Sequence, residues 1–393
     1  MAESIFWRRF MFTKRAWQLA ACCVATACLT TVTIVGVEGV LLQNLTGSAS
    51  ESVRFLRTMH LLKNNYNGEV ETHQLFDGAI KGMVESVGEP YTVYLNRKDY
   101  EQLNHMTNGT FGGIGIVFGK RGDDYVVISA LPDNPGALAG IKSGDIITAV
   151  DDVATRTLNM EQVAQKIRGQ QGTEVLLELK GKDGSLRKVR VIRKDIKNPS
   201  VGGQFVPNTK IGYIRIAVFN ESTVEDFTKE YQKLEQEGMQ SLILDLRGNP
   251  GGLLDAGIGV ARLLVPKGPI VSVIDKDGNK YTESSSLEKV KYPLAVLVDH
   301  GSASASEIVA GAIKDTKAGK LFGVKTFGKG SVQTVYRLDS ATAVKITVAK
   351  YYTPSGVSIH NVGIEPDEVV ELPDTATKDV QLEAAIEYLK QQK

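Results

Sequence analysis

Two continuous apolar runs, each followed by a helical pattern, most constrain how this chain can fold. SLILDL spans residues 241–246 and LAVLVD spans residues 294–299, and both have the length and composition of buried strands. Buried strands that alternate with helices are typical of α/β folds, in which crossover helices join parallel strands. Residues 196–375 are therefore predicted to form an α/β core with a parallel or mixed sheet and crossover helices.

The chain has 393 residues, more than one hydrophobic core usually holds, so several domains are expected. Residues 106–195 show short strand patterns and two helical patterns, which together have the size of a domain. Residues 43–105 have helical apolar spacing and are predicted to form an N-terminal helical region. Residues 376–393 are predicted to form a C-terminal helix.

The N-terminus predicts a membrane anchor. A basic segment, residues 1–15, precedes an apolar run, residues 16–42, that is long enough to span a bilayer. Basic flanks stay on the cytoplasmic side, so the bulk of the chain is expected outside the cytoplasm, in a single-pass protein of the cell membrane. A cleaved signal peptide is the alternative, with a normally shorter apolar core. A lipoprotein cysteine at Cys22 would leave only six residues after Arg15, too few for such a core.

Composition argues against several classes of partner and cofactor. The 46 basic and 45 acidic residues are interspersed and leave a net charge of +1, so no nucleic-acid partner is expected. All three cysteines, Cys22, Cys23 and Cys28, lie in the apolar run. The five histidines form no HExxH motif, so neither a metal nor another cofactor is expected.

Three serines alternate with alanines in DHGSASASEIVAGAIKD, residues 299–315, at the predicted carboxyl end of a strand. With residues 302–306 in a helix, Ser302 and Ser306 share one face and Ser304 points the other way, because each step turns about 100°. Taken alone, Ser304 and Glu307 match the S-x-x-E capping box, which needs no catalysis.

The same stretch invites a Ser–His–Asp triad, which its spacing disfavours. His300 lies in the turn, where a solvated loop histidine is the ordinary interpretation. Asp315 is eleven residues after Ser304, which places it about 16 Å along a helix axis. At that distance Asp315 cannot orient His300 as a triad carboxylate does.

A second base candidate is Lys329 in GVKTFGKGSVQTV, residues 323–335. Gly328 and Gly330 flank it and allow another backbone to approach, and Gln333 could hold its amine without adding charge. Desolvation would have to lower the lysine pKa by roughly 3 units from about 10.4 for it to act as a base near neutral pH. A solvated turn lysine is the alternative, and so is a weak phosphate-loop match that has Gly330 where Ser or Thr should stand.

These segments together resemble the carboxyl-terminal processing proteases, also called tail-specific proteases. The resemblance rests on GSASASEIVAGAIKD, TFGKGSVQ, LILDLRGNPGGLL, GYIRI and YYTPSGVSIHNVGIEPD, in that family's order, and covers roughly residues 50–375. It implies a nucleophile at Ser304, a base at Lys329 and an orienting amide at Gln333. The Asp315 position matches a position of importance in that family, but its distance along the helix favours a structural role. It also implies an oxyanion hole in which the Ala305 N–H pairs with an N–H of the RGNPGG loop, from Gly251 or Gly252.

The resemblance further implies that residues 106–195 form a PDZ domain. The loop GGIGI would then bind a peptide carboxylate through its backbone amides while the peptide adds as a strand. The residues of this predicted carboxylate-binding loop are Gly112, Gly113, Ile114, Gly115 and Ile116. Arg168 is predicted to sense the bound tail, with a solvated helix-end arginine as the alternative.

The sequence therefore predicts a membrane-anchored serine endopeptidase that recognises protein C-termini and cleaves through an acyl-enzyme. Its expected partners are proteins or peptides with exposed C-termini, the membrane, and a second copy of the chain in a homodimer. The first alternative is a non-catalytic PDZ adaptor on a protease-like scaffold. The second is a phosphate-loop nucleotidase, which would bind ATP tightly.

Overall fold

The computed structural model of the chain describes residue 43 and residues 47–392, apart from residues 132, 198, 199, 374 and 375. The predicted cytoplasmic tail and anchor, residues 1–42, lie outside the described residues. Within the described part of the chain, no helix combines the length and apolar composition needed to cross a bilayer. The chain divides into two compact units, Met1–Ser86 and Val87–Lys393.

The first unit contains two helices, α1 (Ala49–Asn65) and α2 (Thr72–Glu85). Ser48 caps α1 by accepting a hydrogen bond from the Glu51 N–H at 3.3 Å. Neither helix has a buried residue, and the rings of Phe55 and Phe76 lie 6.5 Å apart. The predicted helical periodicity is therefore present, with apolar side chains left exposed in this unit.

The second unit begins with a short strand, β1 (Val93–Leu95), and a helix, α3 (Arg97–Asn108). The expectation of helix throughout residues 43–105 is wrong at β1. Tyr94 follows β-branched Val93 in this segment, a composition that suits a strand. This three-residue segment is a strand only because it pairs with a strand far along the sequence. The helical periodicity of the preceding residues therefore could not predict β1.

Residues 110–197 form an antiparallel domain. Its elements in chain order are β2 (Thr110–Gly113), β3 (Ile116–Arg121), β4 (Asp124–Ala130), α4 (Pro135–Leu138), β5 (Ile146–Val150), β6 (Val153–Ala154), a 3-10 turn (Thr155–Thr157), α5 (Met160–Ile167), β7 (Glu174–Lys180), β8 (Leu186–Ile192) and β9 (Lys194–Lys197). The sheet order is β3-β4-β5-β7-β8, so β3 forms an edge, and β2 pairs with β9. Val163 and Ile167 of α5 pack on the core with Tyr125 and Leu177.

Residues 201–391 form the α/β core. Its elements in chain order are β10 (Val201–Phe205), β11 (Ile211–Ile216), α6 (Thr223–Gln236), β12 (Ser241–Asp245), α7 (Leu254–Leu264), β13 (Gly268–Asp275), β14 (Lys280–Ser285), β15 (Leu294–Val298), α8 (Ala305–Asp315), β16 (Lys320–Gly323), β17 (Ser331–Arg337), β18 (Ala343–Tyr352), β19 (Glu368–Val369) and α9 (Val380–Gln391). The mixed α/β prediction is confirmed.

One sheet of the core has the order β10-β11-β12-β15-β16-β19 and is parallel except for the β10–β11 pair. Successive residues of β12 point to opposite faces: Leu242 and Leu244 pack with residues of α6, α7 and α8, whereas Ile243 packs with Ala385 and Leu389 of α9. Both faces are covered, which explains why β12 and β15 are apolar at nearly every position.

The other sheet is antiparallel, with the order β1-β18-β13-β14 and β17 also paired with β18. Its long strand β18 therefore receives β1 from before the antiparallel domain and β17 from after the Lys329 loop. This pairing brings residues that are about 250 positions apart in sequence, such as Val93 and Lys345, into register. The sheet thereby gathers distant segments beside the carboxyl end of β15.

The RGNPGG loop is fastened to the last helix by Arg247. Its guanidinium donates to Asp245 at 2.7 Å, to both carboxylate oxygens of Asp379 at 2.8 Å, and to Gln381 at 3.1 Å. Asp379 also caps α9 by accepting from the Leu382 N–H at 3.0 Å. Burial alone would raise the pKa of the Asp379 carboxyl, but Arg247 and the backbone donors hold it below its usual value.

We expect the substitution Asp379→Asn to lower the free energy of unfolding by about 1–2 kcal/mol at neutral pH, since it weakens a charged hydrogen-bond pair that is partly exposed. Folding lowers the Asp379 pKa, so this contribution is fully present above about pH 4 and is lost as the pH falls through the folded pKa. Urea unfolding at several pH values measures it. Glu387→Gln, an exposed change on the same helix, is the control. Equal losses of unfolding free energy in both variants would contradict a stabilising role for the Arg247–Asp379 pair.

Candidate active site

Ser304 lies in the turn between β15 and α8, at the carboxyl edge of the parallel strands. The helix begins only at Ala305, so the helical premise for Ser302 and Ser304 is wrong. The Ser304 backbone has φ 55° and ψ −114°, a conformation that costs a non-glycine residue on the order of 1–3 kcal/mol. The surrounding contacts therefore hold this serine in a strained turn, as is common where a side chain is presented to a ligand.

The two flanking serines have structural hydrogen bonds. The Ser302 hydroxyl donates to the Leu246 carbonyl at 2.8 Å, and the Ser306 hydroxyl donates to the Asn249 carbonyl at 2.9 Å. Both side chains are fully buried, whereas Ser304 is half-buried. The three serines are thus inequivalent because two of them fasten the turn to residues 246–249, leaving Ser304 as the accessible one.

The Glu307 carboxylate joins the serine turn to the lysine loop. Its Oε2 accepts the backbone N–H of Ser304 and of Lys329, each at 2.8 Å. Its Oε1 accepts the Gly328 N–H at 2.7 Å and the Thr326 hydroxyl at 2.6 Å. Capping explains the first of these contacts, but the others connect two segments that are about twenty residues apart.

Glu307 is fully buried. Burial raises the pKa of its carboxyl, and the donors from Thr326, Gly328, Ser304 and Lys329 oppose that rise. A buried carboxylate is tolerated only where such donors replace the water it has lost. The position of the Lys329 loop relative to Ser304 is therefore set by a carboxylate that cannot lose its partners cheaply.

The Lys329 amine lies in an environment that disfavours its charge. Burial lowers the pKa of Lys329 most strongly, and the positive charge of Lys345 on β18 lowers it further. The negative charges of Glu89 and Glu307 act in the opposite direction. The net shift is downward, the direction that a lysine needs in order to serve as a base near neutral pH.

The Lys329 Nζ atom lies 4.8 Å from the centroid of the Tyr91 ring. A ring face at that distance stabilises an ammonium group. In the described residues, no hydrogen bond joins the Lys329 amine to the Ser304 hydroxyl. Catalytic hydrogen bonds often tighten only when substrate binds, so this resting geometry is compatible with a serine–lysine pair.

Among the described residues, the hydrogen bonds of Gln333 are made to groups other than the Lys329 amine. Its Nε2 donates to the Ser331 hydroxyl at 2.9 Å and to the Thr347 hydroxyl at 3.3 Å. The Thr347 hydroxyl donates in turn to Glu89 at 2.9 Å. A β-bulge between Val332 and Gln333 redirects the side chain, so counting four residues from Lys329 did not predict its partners.

The RGNPGG loop packs directly on the serine turn. A Cβ atom on Gly251 would lie 2.7 Å from the Ser304 Cβ, and one on Gly252 would lie 1.9 Å from the Phe219 carbonyl oxygen. The Gly251 N–H donates to the Asn249 side chain at 2.9 Å. Within the described part of the chain, the N–H groups of Gly252 and Ala305 have no acceptor. These two amides, close to Ser304, are the candidate oxyanion donors.

The GGIGI loop leads into the edge strand β3. Ile114 is buried in the domain core, and Gly115 has φ 70° with Asn134 only 2.3 Å from where its Cβ would be. Gly112 passes close to Gly169, whose carbonyl oxygen would lie 2.0 Å from a Cβ. Among the described residues, the Ile114 and Gly115 amides donate to no acceptor. The loop therefore has the close packing and free donors that a carboxylate site requires.

A groove runs between β3 and α5. Its lining includes Ile116, Phe118, Met160 and Ala164, with Arg168 at one end. The open edge of β3 lets an extended peptide add as a strand, and the apolar lining can hold alternate side chains. Its geometry fits peptide binding.

Arg168 ends α5 and lies over the Phe111 ring at 5.2 Å. Besides the groove, it lines a second cleft that reaches Pro250 of the RGNPGG loop. This residue is therefore placed between the peptide groove and the loop that packs on Ser304, a position compatible with either a sensing or a solvated role.

His300 and Asp315, the other two members of the triad that the sequence disfavours, have different surroundings. His300 lines a different cleft, together with Tyr213 and Arg247. The Asp315 carboxylate accepts the Ser355 N–H at 2.9 Å and so connects the end of α8 to the YYTPSG segment. In the described residues, no cluster of His, Cys, Asp and Glu has the arrangement of a metal site.

Sequence reasoning missed Glu89 and Tyr91. Both lie in the part of GEPYTVYL that precedes β1, and they reach the lysine loop because β1 pairs with β18. A polar residue followed by Pro-Tyr-Thr gave a turn signal but no sign of its partner strand. Glu307 was noticed as a cap, and its contacts with the lysine loop were not foreseen.

The α/β core with a strained serine, a desolvated lysine and free backbone donors defines a serine-type peptidase with an attached peptide-binding domain. The pattern of Peptidase family S41 matches residues 210–370, that of the PDZ domain matches residues 126–181, and that of the "Activating protease CtpB N-terminal domain" matches residues 41–99.

Comparisons with individual proteins agree with these family matches. The chain is 37% identical over 317 residues to the carboxy-terminal processing protease CtpA of Bacillus subtilis, covering 80% of this chain and 68% of the relative. It is 37% identical over 324 residues to the carboxyl-terminal-processing protease of Synechocystis, covering 79% and 76%. The solved photosystem II D1 C-terminal processing protease is 30% identical, with a TM-score of 0.50 over 86% of this chain and 97% of that one. The chain belongs to the carboxyl-terminal processing proteases, and the family expected from its motifs is confirmed.

We expect Glu307→Gln to lower the free energy of unfolding by several kcal/mol. The amide NH₂ would replace one carboxylate oxygen, and the donors that now bond to that oxygen would lose their acceptor. Each unsatisfied buried donor costs about 1–3 kcal/mol. Activity should fall with it, since the lysine loop loses its position. Thr326→Val removes one of the four donors to Glu307 and also the acceptor of the Ile364 N–H, and it serves as the comparison in which three donors to Glu307 remain. Chemical unfolding and peptide cleavage measure both effects; a Gln variant as stable and active as wild type would contradict the role of Glu307.

Proposed function

We propose that the chain is a membrane-anchored serine endopeptidase in which Ser304 is the nucleophile and Lys329 the general base. The observation that carries this proposal is the Glu307 carboxylate, which accepts hydrogen bonds from the backbones of both residues. The lowered pKa of Lys329, caused first by burial, supports the role of base. Gln333 acts on the amine indirectly, through Thr347 and Glu89.

The cleavage proceeds through an acyl-enzyme. Neutral Lys329 takes the proton of the Ser304 hydroxyl as the serine oxygen attacks the scissile carbonyl carbon. The carbonyl oxygen gains negative charge and accepts hydrogen bonds from the Ala305 and Gly252 amides. Lys329 then gives its proton to the leaving amine as the C–N bond breaks. In the second half of the reaction, neutral Lys329 takes a proton from water as the water oxygen attacks the ester carbonyl carbon. Lys329 then returns the proton to the Ser304 oxygen as the ester bond breaks.

The PDZ domain selects the substrate by its C-terminus. The peptide adds to β3 as a strand, its terminal carboxylate accepts hydrogen bonds from the amides of residues 112–116, and Arg168 senses the bound tail. The free amides of Ile114 and Gly115 and the groove between β3 and α5 support this part of the proposal.

The localisation and assembly rest on the sequence. Residues 1–15 stay in the cytoplasm, residues 16–42 span the membrane and the catalytic part lies outside the cytoplasm. Fusion of a reporter enzyme after residue 42 tests this topology. The exposed apolar residues of α1 and α2 support a homodimer, which sedimentation of the detergent-solubilised chain measures.

Ser304→Ala should abolish peptide cleavage, and Lys329→Ala should lower kcat/KM by about 10²–10⁴-fold, as expected for a nucleophile and its base. Ser302→Ala and Ser306→Ala are the matched controls and should leave measurable activity, because their hydroxyls have structural partners. His300→Ala should have a mild effect. An inactive His300 variant, or turnover by the Ser304 variant, would overturn the assignment.

The pH profile of kcat/KM should rise as Lys329 loses its proton, with a midpoint below the ordinary lysine value of about 10.4. Lys345→Gln removes a positive neighbour, so the Lys329 pKa and the midpoint should move up. Glu89→Gln removes a negative neighbour and should move them down. Lys350→Gln, an exposed lysine on the same strand, is the control. Shifts of the same sign in the Lys345 and Glu89 variants would show that another group titrates.

Amidating the substrate C-terminus should lower kcat/KM several-fold, because hydrogen bonds to a charged group are worth about 1.5–3 kcal/mol. Arg168→Ala should narrow the difference between the free and amidated peptides if Arg168 senses the tail. Matched peptides that differ only at the terminal carboxylate measure this. Equal cleavage of both by the intact enzyme would remove the basis for tail recognition.

A further inference from the structure

Tyr351, near the end of β18, has a buried hydroxyl group that makes no hydrogen bond within the described residues. The residue is 1% exposed, and its phenol oxygen has no hydrogen bond in the described part of the chain. Leaving a buried donor unsatisfied destabilises a fold, so such a group in an otherwise well-bonded core needs a physical reason. A phenylalanine would fill the same space without that cost.

Two contacts place Tyr351 at the reacting groups. Its backbone N–H donates to the Gly330 carbonyl at 3.1 Å, directly after Lys329 in the chain. Its phenol neighbours the Ser304 side chain, although the two hydroxyls do not have hydrogen-bond geometry in the resting structure. Tyr351 thus lies beside the nucleophile while its backbone is bonded to the loop that carries the base.

The phenol keeps its proton. Burial raises the pKa of Tyr351 well above its ordinary value, and the negative charge of Glu307 acts in the same direction, while the Ser304 side chain opposes the rise. Tyr351 is consequently a hydrogen-bond donor at any working pH and cannot replace Lys329 as the base.

We propose that Tyr351 is a further catalytic residue, whose hydroxyl donates a hydrogen bond to the Ser304 oxygen as Lys329 removes the proton from that oxygen. The proposal rests on Ser304 as the nucleophile. Tyr351 transfers no proton: the serine proton goes to the Lys329 amine, and the freed electron pair forms the bond to the scissile carbon. The hydrogen bond strengthens as charge develops on the serine oxygen, so it lowers the barrier more than it helps substrate binding.

The test is Tyr351→Phe, which keeps the ring and removes the hydroxyl. We expect kcat to fall about 10–100-fold with KM nearly unchanged, as for the loss of one hydrogen bond to a charge-bearing oxygen. The melting temperature should stay equal or rise, because an unsatisfied donor is gone. Tyr352→Phe, the neighbour on the opposite face of β18, should have wild-type kcat. A Tyr351→Phe variant with wild-type kcat would overturn the proposal.

Inactivation by an alkyl fluorophosphonate isolates the serine step, since the serine oxygen forms the bond to phosphorus and fluoride leaves. Its rate should fall in Tyr351→Phe in proportion to kcat, and an unchanged rate would overturn the proposal. If the Phe variant does not fold, 3-fluorotyrosine at position 351 keeps the hydroxyl and makes it a stronger donor. That protein should be inactivated faster than wild type, and an equal rate would count against the hydrogen bond.

Ser304→Ala distinguishes a failure of the Tyr351 role from a failure of the proposed nucleophile. If it is inert and unlabelled while Tyr351→Phe has full activity, the Tyr351 role fails and the proposed function stands. If it still cleaves peptides, the proposed nucleophile is wrong and the role of Tyr351 falls with it.

Discussion

The buried Glu307 carboxylate is the interaction on which the geometry of the site depends. It accepts hydrogen bonds from the Ser304 turn and from the loop of residues 326–329, so one side chain joins the segments that carry the proposed nucleophile and the proposed base. Hydrogen bonds to a carboxylate are stronger in a water-free interior, and the loss of any one of them destabilises the folded state. The strained backbone of Ser304 persists because this network and the flanking serines leave the turn no alternative arrangement.

The same carboxylate opposes the chemistry that it positions, because its charge stabilises the ammonium form of Lys329. Glu89 and the Tyr91 ring act in the same direction. Burial and the positive charge of Lys345 outweigh them, and the lysine pKa falls. The charge state of the proposed base is therefore a balance of opposed effects from α8, from the segment before β1 and from β18.

The sequence predicted those parts of the molecule that local pattern determines. β12 and β15 were evident as apolar runs, α8 followed from its motif, and the family motifs pointed to Ser304 and Lys329. The partners of Gln333 depend on a bulge, and the contributions of Glu89 and Tyr91 depend on β1 and β18 pairing across about 250 residues. The position of Tyr351 depends on the pairing of β18 with β13. No local periodicity encodes such contacts. The helical expectation for β1 failed for the same reason, since tertiary pairing decides the structure of so short a segment.

The most direct measurement is the titration of the Lys329 amine by nuclear magnetic resonance. In protein labelled with ¹⁵N and ¹³C at lysine, the Lys329 signal is assigned by its absence in Lys329→Arg. We expect it to titrate well below the other lysines, whose ordinary pKa is about 10.4, because burial disfavours its charge. A Lys329 amine that titrates together with the exposed lysines would contradict a desolvated base beside Ser304.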